Sequence, residues 1–338
     1  MPILWSSCEP ESYSRFVEEE EENQYMQLAL LRSGGKDNES DKPCFIFWKE
    51  TNYLAPGFSS NPTTPYVYCH PDGVIDDYNV TKYNTRYVYP DYSEWVHAVG
   101  IAPGALVPKN NTTGWTEFYI PETDAGLIEI QCAPVVRGNQ QLPFSDPLKF
   151  AHQLTKLEIH AYCGDSMMES ENKYINVKDI KISISSDDDN QWKRFPEKLI
   201  WNGENTTGQY IVKGYDAAPS SEIVAEISSD KILLGKTDTS KDAAKVIGNF
   251  YLVPGFNTIT IRVEATYIDT TNDDTITGNG QVISRKWDKV TVKEIYPESG
   301  PTGTKTSAGE SYELKLSFDR SKIELSATLE DWRTEIHN

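Results

Sequence analysis

Along the second half of the chain, apolar and polar residues alternate. Tyr312, Leu314, Leu316 and Phe318 are interleaved with Glu313, Lys315 and Ser317. Asp319-Arg320-Ser321-Lys322 reads as a turn, and Ile323, Leu325, Ala327 and Leu329 then alternate with Glu324, Ser326 and Thr328. Successive strand side chains point to opposite faces, so this pattern predicts a hairpin with one apolar and one wet face. The same period runs through 154–163, where Leu157, Ile159, Ala161 and Cys163 share a face opposite Lys156, Glu158 and His160. Ile180, Ile182 and Ile184 repeat it, as do Ile259, Ile261, Val263, Ala265 and Tyr267, and Gln281–Glu294 is another β-like stretch.

The first half carries shorter runs. Cys44–Lys49, Tyr66–Cys69, Arg86–Tyr89, Trp95–Ile101, Glu117–Ile120 and Leu127–Gln131 are separated by clusters of Pro, Gly, Asn and Asp. Such spacing predicts an all-β sandwich architecture rather than βαβ units. Residues 138–149 are polar and Pro-bearing, and they mark a boundary between an N-terminal β-sandwich (41–145) and a C-terminal one (146–338). Residues 1–40 precede both. Within them Met26, Leu28 and Leu30 alternate as in a strand. A helix over 16–32 is the rival reading, because Glu, Gln, Met, Leu and Ala are good helix formers. Ser33 to Asn38 is a Gly-bearing polar loop that a protease can reach.

Charge narrows the function. Fifty-one acidic against 32 basic residues give a net charge of −19 in 338 residues. That argues against a nucleic-acid partner, which needs a basic face for phosphates, and against a polybasic membrane-surface role. No run approaches the ~18 apolar residues of a spanning helix. The five cysteines show no zinc spacing. Cys44, Cys69, Cys132 and Cys163 could pair in an exported chain, in a pattern the sequence leaves open. Cys8 stands apart. Leu4-Trp5-Ser6-Ser7-Cys8, followed by Glu9 and Glu11, resembles the end of a bacterial lipoprotein signal, in which the Cys is lipidated and anchors the chain to a membrane.

Catalytic signatures do not surface. There is no G-x-S-x-G, P-loop, H-E-x-x-H or G-x-G-x-x-G, so no enzyme, cofactor or metal is expected. His152 and His160 are too far apart along one strand to share a metal. The acidic stretches 187–190 and 269–274 lack the order of a calcium loop and read as solvated tips. Eight tyrosines between Tyr53 and Tyr92 offer a candidate contact surface for host or bacterial glycans or proteins, with ordinary strand tyrosines as the simpler reading.

Three further stretches carry a resemblance. Phe150-Ala-His152-Gln-Leu154-Thr-Lys156-Leu157 comes first, then Val253-Pro254-Gly255-Phe-Asn-Thr258-Ile-Thr-Ile261-Arg-Val263. Ala308-Gly309-Glu-Ser-Tyr312 then leads through Phe318 to Ile323 and Asp331-Trp332. In this order they resemble the fimbrillin-like proteins of Bacteroidetes, lipoprotein-derived subunits of surface pili. The resemblance implies two tandem transthyretin-like, Greek-key β-sandwiches. It implies a structural or adhesive subunit of a fimbrium at the outer membrane, with other subunits as partners and Cys8 as lipid anchor. In shaft subunits of that family a trypsin-like protease cuts after a basic residue and removes the first strand, and a strand of the next subunit fills the groove. By position, Arg32 is the cleavage residue here, Met26, Leu28 and Leu30 are the exchanged strand, and the segment Trp332 to Asn338 is a candidate donor. The alternative is a surface glycan-binding lipoprotein that does not polymerise.

Overall fold

A computed structural model of the chain describes residues 25–31, 43–49, 66–69, 73–75, 80–89, 94–103, 106, 117–145, 147–170, 173–187, 190–202, 208–229, 234–235, 238, 240–256, 258–270, 281–291, 305–320 and 323–331. Among these residues the regular structure is β, relieved by short 3-10 turns at 165–167, 191–194 and 241–243. The strands of the first part are β1 (Tyr25–Leu31), β2 (Cys44–Lys49), β3 (Tyr66–Cys69), β4 (Gly73–Ile75), β5 (Val80–Val88), β6 (Val96–Ala102), β7 (Glu117–Tyr119), β8 (Gln131–Cys132), β9 (Val136–Gly138), β10 (Leu148–Lys149) and β11 (Ala151–His152). Those of the second part are β12 (Thr155–Cys163), β13 (Met168–Ser170), β14 (Lys173–Ser185), β15 (Pro196–Asn202), β16 (Gln209–Gly214), β17 (Val224–Ser229), β18 (Lys245–Leu252), β19 (Thr258–Thr270), β20 (Gln281–Thr291), β21 (Glu310–Phe318) and β22 (Ile323–Asp331).

Two compact units result. The first gathers the described residues of Met1–Glu117, Cys132–Phe150 and Trp201–Tyr210, and the second those of Phe118–Gln131, Ala151–Ile200 and Ile211–Asn338. In the first unit one sheet has the order β10-β1-β5-β4, and another runs β8-β6-β2-β3 with β9 added to β6. Leu28 and Leu148 of the one sheet and Phe45, Phe47, Val96 and Ala98 of the other enter a single core. In the second unit the sheets β18-β12-β21-β22 and β13-β14-β19-β20 share a larger core. β15 lies between β16 and β7 in a three-stranded sheet.

Period-two sequence gives these faces directly. Along β12 every second residue from Thr155 to Cys163 is buried, and those between are half-buried. β14 needs one correction of phase. Ile175 and Val177 are buried, then Ile180, Ile182 and Ile184, a step of three. The register with β19 shifts between Lys178 and Lys181, and Asp179 takes φ of 51° there. This bulge absorbs the extra residue, so both halves of the strand face the core.

Two expectations change, and one rival reading falls. Leu127–Gln131, read as a strand, instead leaves a turn over 122–127 through a bend at Ile128 and irregular backbone at Glu129 and Ile130. The Pro121 carbonyl accepts from the amides of Asp124 and Ala125, that of Asp124 accepts from Leu127 and Ile128, and Gly126 adopts φ of +83°. Only Gln131 joins a strand. The helix expected as a rival over 16–32 does not occupy 25–31, which is β1. The hairpin β21–β22 forms in continuous register from Glu310↔Asp331 to Phe318↔Ile323, yet the polar face of β21 is not wet. Glu313 is 7% exposed and Ser317 8%. β21 lies between β12 and β22. Glu313 there pairs with His160 Nδ1 at 3.3 Å and with Lys315 Nζ at 2.9 Å. Alongside, burial works against the Glu158 carboxylate, but hydrogen bonds from Lys156 and His160, with their charges, hold its pKa below the usual range.

Candidate assembly site

β1 carries three of the candidate site residues, Met26, Leu28 and Leu30. It pairs antiparallel with β5 from Tyr25↔Val88 to Leu31↔Val80, with an irregularity between Tyr25 and Gln27. On its other side it pairs parallel with β10, Leu30↔Leu148 and Leu31↔Lys149. Short-range sequence explains the strand: alternating apolar residues fit a surface buried on one face. Leu28 is 1% exposed and packs in the core with Phe45, Phe47, Tyr89, Val96, Ala98, Leu148 and Phe150. Met26 and Leu30 hold the positions two before and two after it on β1. Cys8, Arg32 and the segment 332–338 lie outside the described residues.

The core around Leu28 is tightly fitted. Phe144 meets Phe47 and Tyr89 at ring-centroid distances of 6.3 and 5.7 Å. The Tyr89 hydroxyl accepts a hydrogen bond from the Phe144 amide at 3.0 Å. Burial raises the Tyr89 pKa, and that hydrogen bond partly offsets the effect. Tyr89 is therefore a core residue and not part of an exposed tyrosine platform; the other seven tyrosines of that cluster have no described side chain. Gly100 faces the Phe150 ring so closely that a Cβ there would stand 2.3 Å from it.

On the alternate face of β6, His97 is fully buried, opposite Trp48 on β2 and Arg137 on β9. Burial, seconded by the Arg137 charge, lowers its pKa to about 4. It is neutral at pH 7. The remaining histidines with described side chains are engaged locally: His152 Nδ1 with Glu129, and His160 with Glu158 at 2.8 Å and Glu313. Among the described residues no group of three or more His, Cys, Asp or Glu is placed to hold a metal ion. A shallow groove of about 400 Å³ runs between β20 and β22, lined by Tyr162, Arg285, Trp287, Ile323, Glu324 and Leu325.

What this arrangement can do is mechanical. β1 supplies two ladders to its unit and, in Leu28, a described core side chain. A chain cut just beyond it would keep β1 only through those contacts. Sequence reasoning missed β10, because a two-residue strand inside a Pro-bearing stretch leaves no period to read. Its signal is Leu148 and Phe150, an alternating apolar pair on either side of Lys149.

No protein-family model matches the chain, and no curated protein matches it. Solved structures do. The chain is similar to a "putative cell adhesion protein" from Bacteroides uniformis, at 15% identity and a TM-score of 0.48, over 91% of this chain and 98% of that one. It is similar to a fimbrial protein from Bacteroides vulgatus, at 11% identity and a TM-score of 0.38, over 91% and 99%. A fimbrial assembly protein from Parabacteroides distasonis is similar at 10% identity and a TM-score of 0.36, over 90% and 98%. These structural neighbours are named as adhesion and fimbrial proteins of Bacteroidetes, the kind of protein the sequence motifs resemble.

Proposed function

We propose that this chain is a non-enzymatic subunit, structural or adhesive, of a bacterial cell-surface fimbrium. In this reading it folds as two tandem transthyretin-like β-sandwiches, is exported as a lipoprotein through Cys8, and joins other subunits by strand exchange at the outer membrane. The observation that carries the reading is the position of β1, clasped between β5 and β10 with Leu28 in the core.

Hydrolysis of the peptide bond after Arg32 would leave β1 attached by hydrogen bonds and packing alone. Its departure opens a trough with unpaired amides and carbonyls on β5 and β10 and an apolar floor where Leu28 sat. A strand from another subunit with alternating apolar residues repairs both faults. Such a contact joins different surfaces of successive subunits, so it does not close and builds a filament.

The test compares Arg32→Ala with wild type in cells that make the fimbria, reading the mature N-terminus by mass spectrometry and polymer by electron microscopy. Wild type should begin at Ser33 and polymerise, and the variant should do neither. Equal polymer and the same N-terminus in both would remove Arg32 from the mechanism. A stable monomer with saturable oligosaccharide binding would overturn the fimbrial reading. Membrane fractionation unchanged by Cys8→Ser, with the full upstream signal present, would remove the lipid anchor.

A further inference from the structure

β2 and β3 run antiparallel, and their register sets Cys44 directly opposite Cys69. The pairs Phe45↔Tyr68, Ile46↔Val67 and Phe47↔Tyr66 continue the ladder without a shift. Directly opposed residues in such a ladder have Cα atoms about 4.5–5.5 Å apart. A disulfide spans about 4.4–6.8 Å between Cα atoms, which takes in that range, and Cys44, a thiol in this structure, has its Sγ 3.9 Å from the Phe45 carbonyl oxygen. Opposed positions also lie on the same face of a sheet. On β2 this is the face alternate to Phe45 and Phe47, which enter the core with Leu28.

The register also decides between cysteines. On its other side Cys44 faces Ile101 of β6, and β6 separates β2 from β8, which carries Cys132. Two strand spacings are about 9.5 Å, beyond the ~7 Å that a bridge tolerates. Cys163 faces Phe318 across its own parallel ladder. Cys69 is thus the cysteine that the topology offers to Cys44.

We propose that Cys44 and Cys69 form a cross-strand disulfide, closing the loop of residues 45–68. Formation is a thiol–disulfide exchange. Two cysteine thiols give up two electrons and two protons to an external disulfide, whose S–S bond breaks to two thiols as the new S–S bond forms. Cys44 is fully buried, so the bridge forms as the chain folds. Its occurrence in cells rests on the export in the proposed function, because an oxidising compartment must supply the external disulfide. Its structural effect falls on β3, which ends its sheet and has its ladder with β2. A bridge fixes that edge strand in register and holds this sheet together while the opposite sheet exchanges β1.

The full chain is refolded from denaturant in a buffer of reduced and oxidised glutathione, then digested with trypsin without reduction. Lys49 lies between the two cysteines, so they leave on separate peptides unless bridged. A peptide carrying both Cys44 and Cys69, lighter by two hydrogens than its parts, is the expected product. Reduction should separate the two and lower the Tm of the wild-type chain by about 5 °C. Cys69→Ser should lose the linked peptide and the reduction-sensitive part of the Tm, and Cys132→Ser should keep both. Alkylation of Cys44 and Cys69 alike after refolding, or a Cys44 peptide linked to Cys132, overturns the pairing. A chain that bridges on refolding yet is recovered fully reduced from cells supports the pairing and overturns the export.

Discussion

β1 and β22 are the first and last described strands, and they are held in opposite ways. β1 has a ladder on each side and puts a fully buried leucine in the core of the first unit. β22 ends its sheet, pairs with β21 alone among the described strands, and follows its buried Ile323 with the half-buried Leu325. Strands at edges come and go at small cost, because they leave one row of backbone groups that water can satisfy. A central strand leaves two rows and a hole. The difference teaches where assembly can be gated. Under the proposed strand exchange, a groove made by losing β1 would be a high-energy state that demands a donor, whereas an end strand such as β22 would be exchanged without comparable drive.

The largest test of this contrast removes whole strands. Truncation at Pro301 takes away β21 and β22 together, including Tyr312, Leu314, Leu316, Phe318 and Ile323, all buried in one core. At about 1.5–3 kcal/mol per buried side chain, the loss is about 7–15 kcal/mol, as large as the stability of an ordinary domain. The second unit should lose its cooperative unfolding transition in urea. Stopping after Arg320 removes β22 alone and should cost about 3–5 kcal/mol by the same scale. If the two truncations are equally damaging, β22 is not a simple edge strand.

A gentler comparison uses one methyl-rich side chain in each strand. Leu28→Ala leaves a cavity at a site 1% exposed and should cost about 2–5 kcal/mol. Leu325→Ala, half-buried at the border of its core, should cost about 1 kcal/mol. Urea midpoints at constant slope measure both. A peptide spanning residues 25–31 should not rescue Leu28→Ala in the uncut chain, since the covalent strand already fills the groove. Equal losses at the two leucines would break the contrast.

Protonation separates the two units without mutation. His97, in the first unit, has a folded pKa of about 4 against 6.5 in the unfolded chain. A group whose pKa is depressed on folding binds more protons when unfolded, so stability falls as pH drops. The stabilisation is fully present above pH 6.5 and is lost between 6.5 and 4. The total is about 3 kcal/mol, from burial first and the Arg137 charge second. Chemical denaturation between pH 7 and pH 4 should weaken the first unit by that order, and His97→Gln should flatten the slope. β22 and its hairpin should not share this His97-dependent slope.

Much of this was legible in the chain. Cys44–Lys49 and Tyr66–Cys69 are strands with the bounds that their apolar runs predict, and β21–β22 pairs as the double alternation requires. Period two reports burial of a face, and it reports it well. It carries no partner information, so the parallel pairings of β1 with β10 and of β12 with β21 could not be read. Nor does it register strands whose alternate positions are also apolar: buried Leu199 and Trp201 flank Ile200, Tyr210 and Val212 flank Ile211, and Phe250 and Leu252 flank Tyr251, so no polar residue marks the outer face there. Of the candidate site, Leu28 was visible as one of three alternating residues. That its strand is central rather than peripheral depends on β10, whose two residues give no pattern.

The smallest expected effect is the sharpest on what an edge means. Glu324 is exposed on β22, opposite Ser317, between buried Ile323 and half-buried Leu325. Outward charges on terminal strands discourage edge-to-edge pairing with other chains. Glu324→Thr replaces a charge at an exposed position with a residue of good strand propensity, so folding stability should move by less than about 0.5 kcal/mol. Self-association, read by sedimentation velocity at rising concentration, should increase, because the edge loses its repulsion while its backbone groups stay available. A large stability loss would mean that β22 is clasped on both sides as β1 is. No change in either quantity would mean that something other than charge guards this edge, and would turn attention to the neighbouring groove between β20 and β22 and to what fills it.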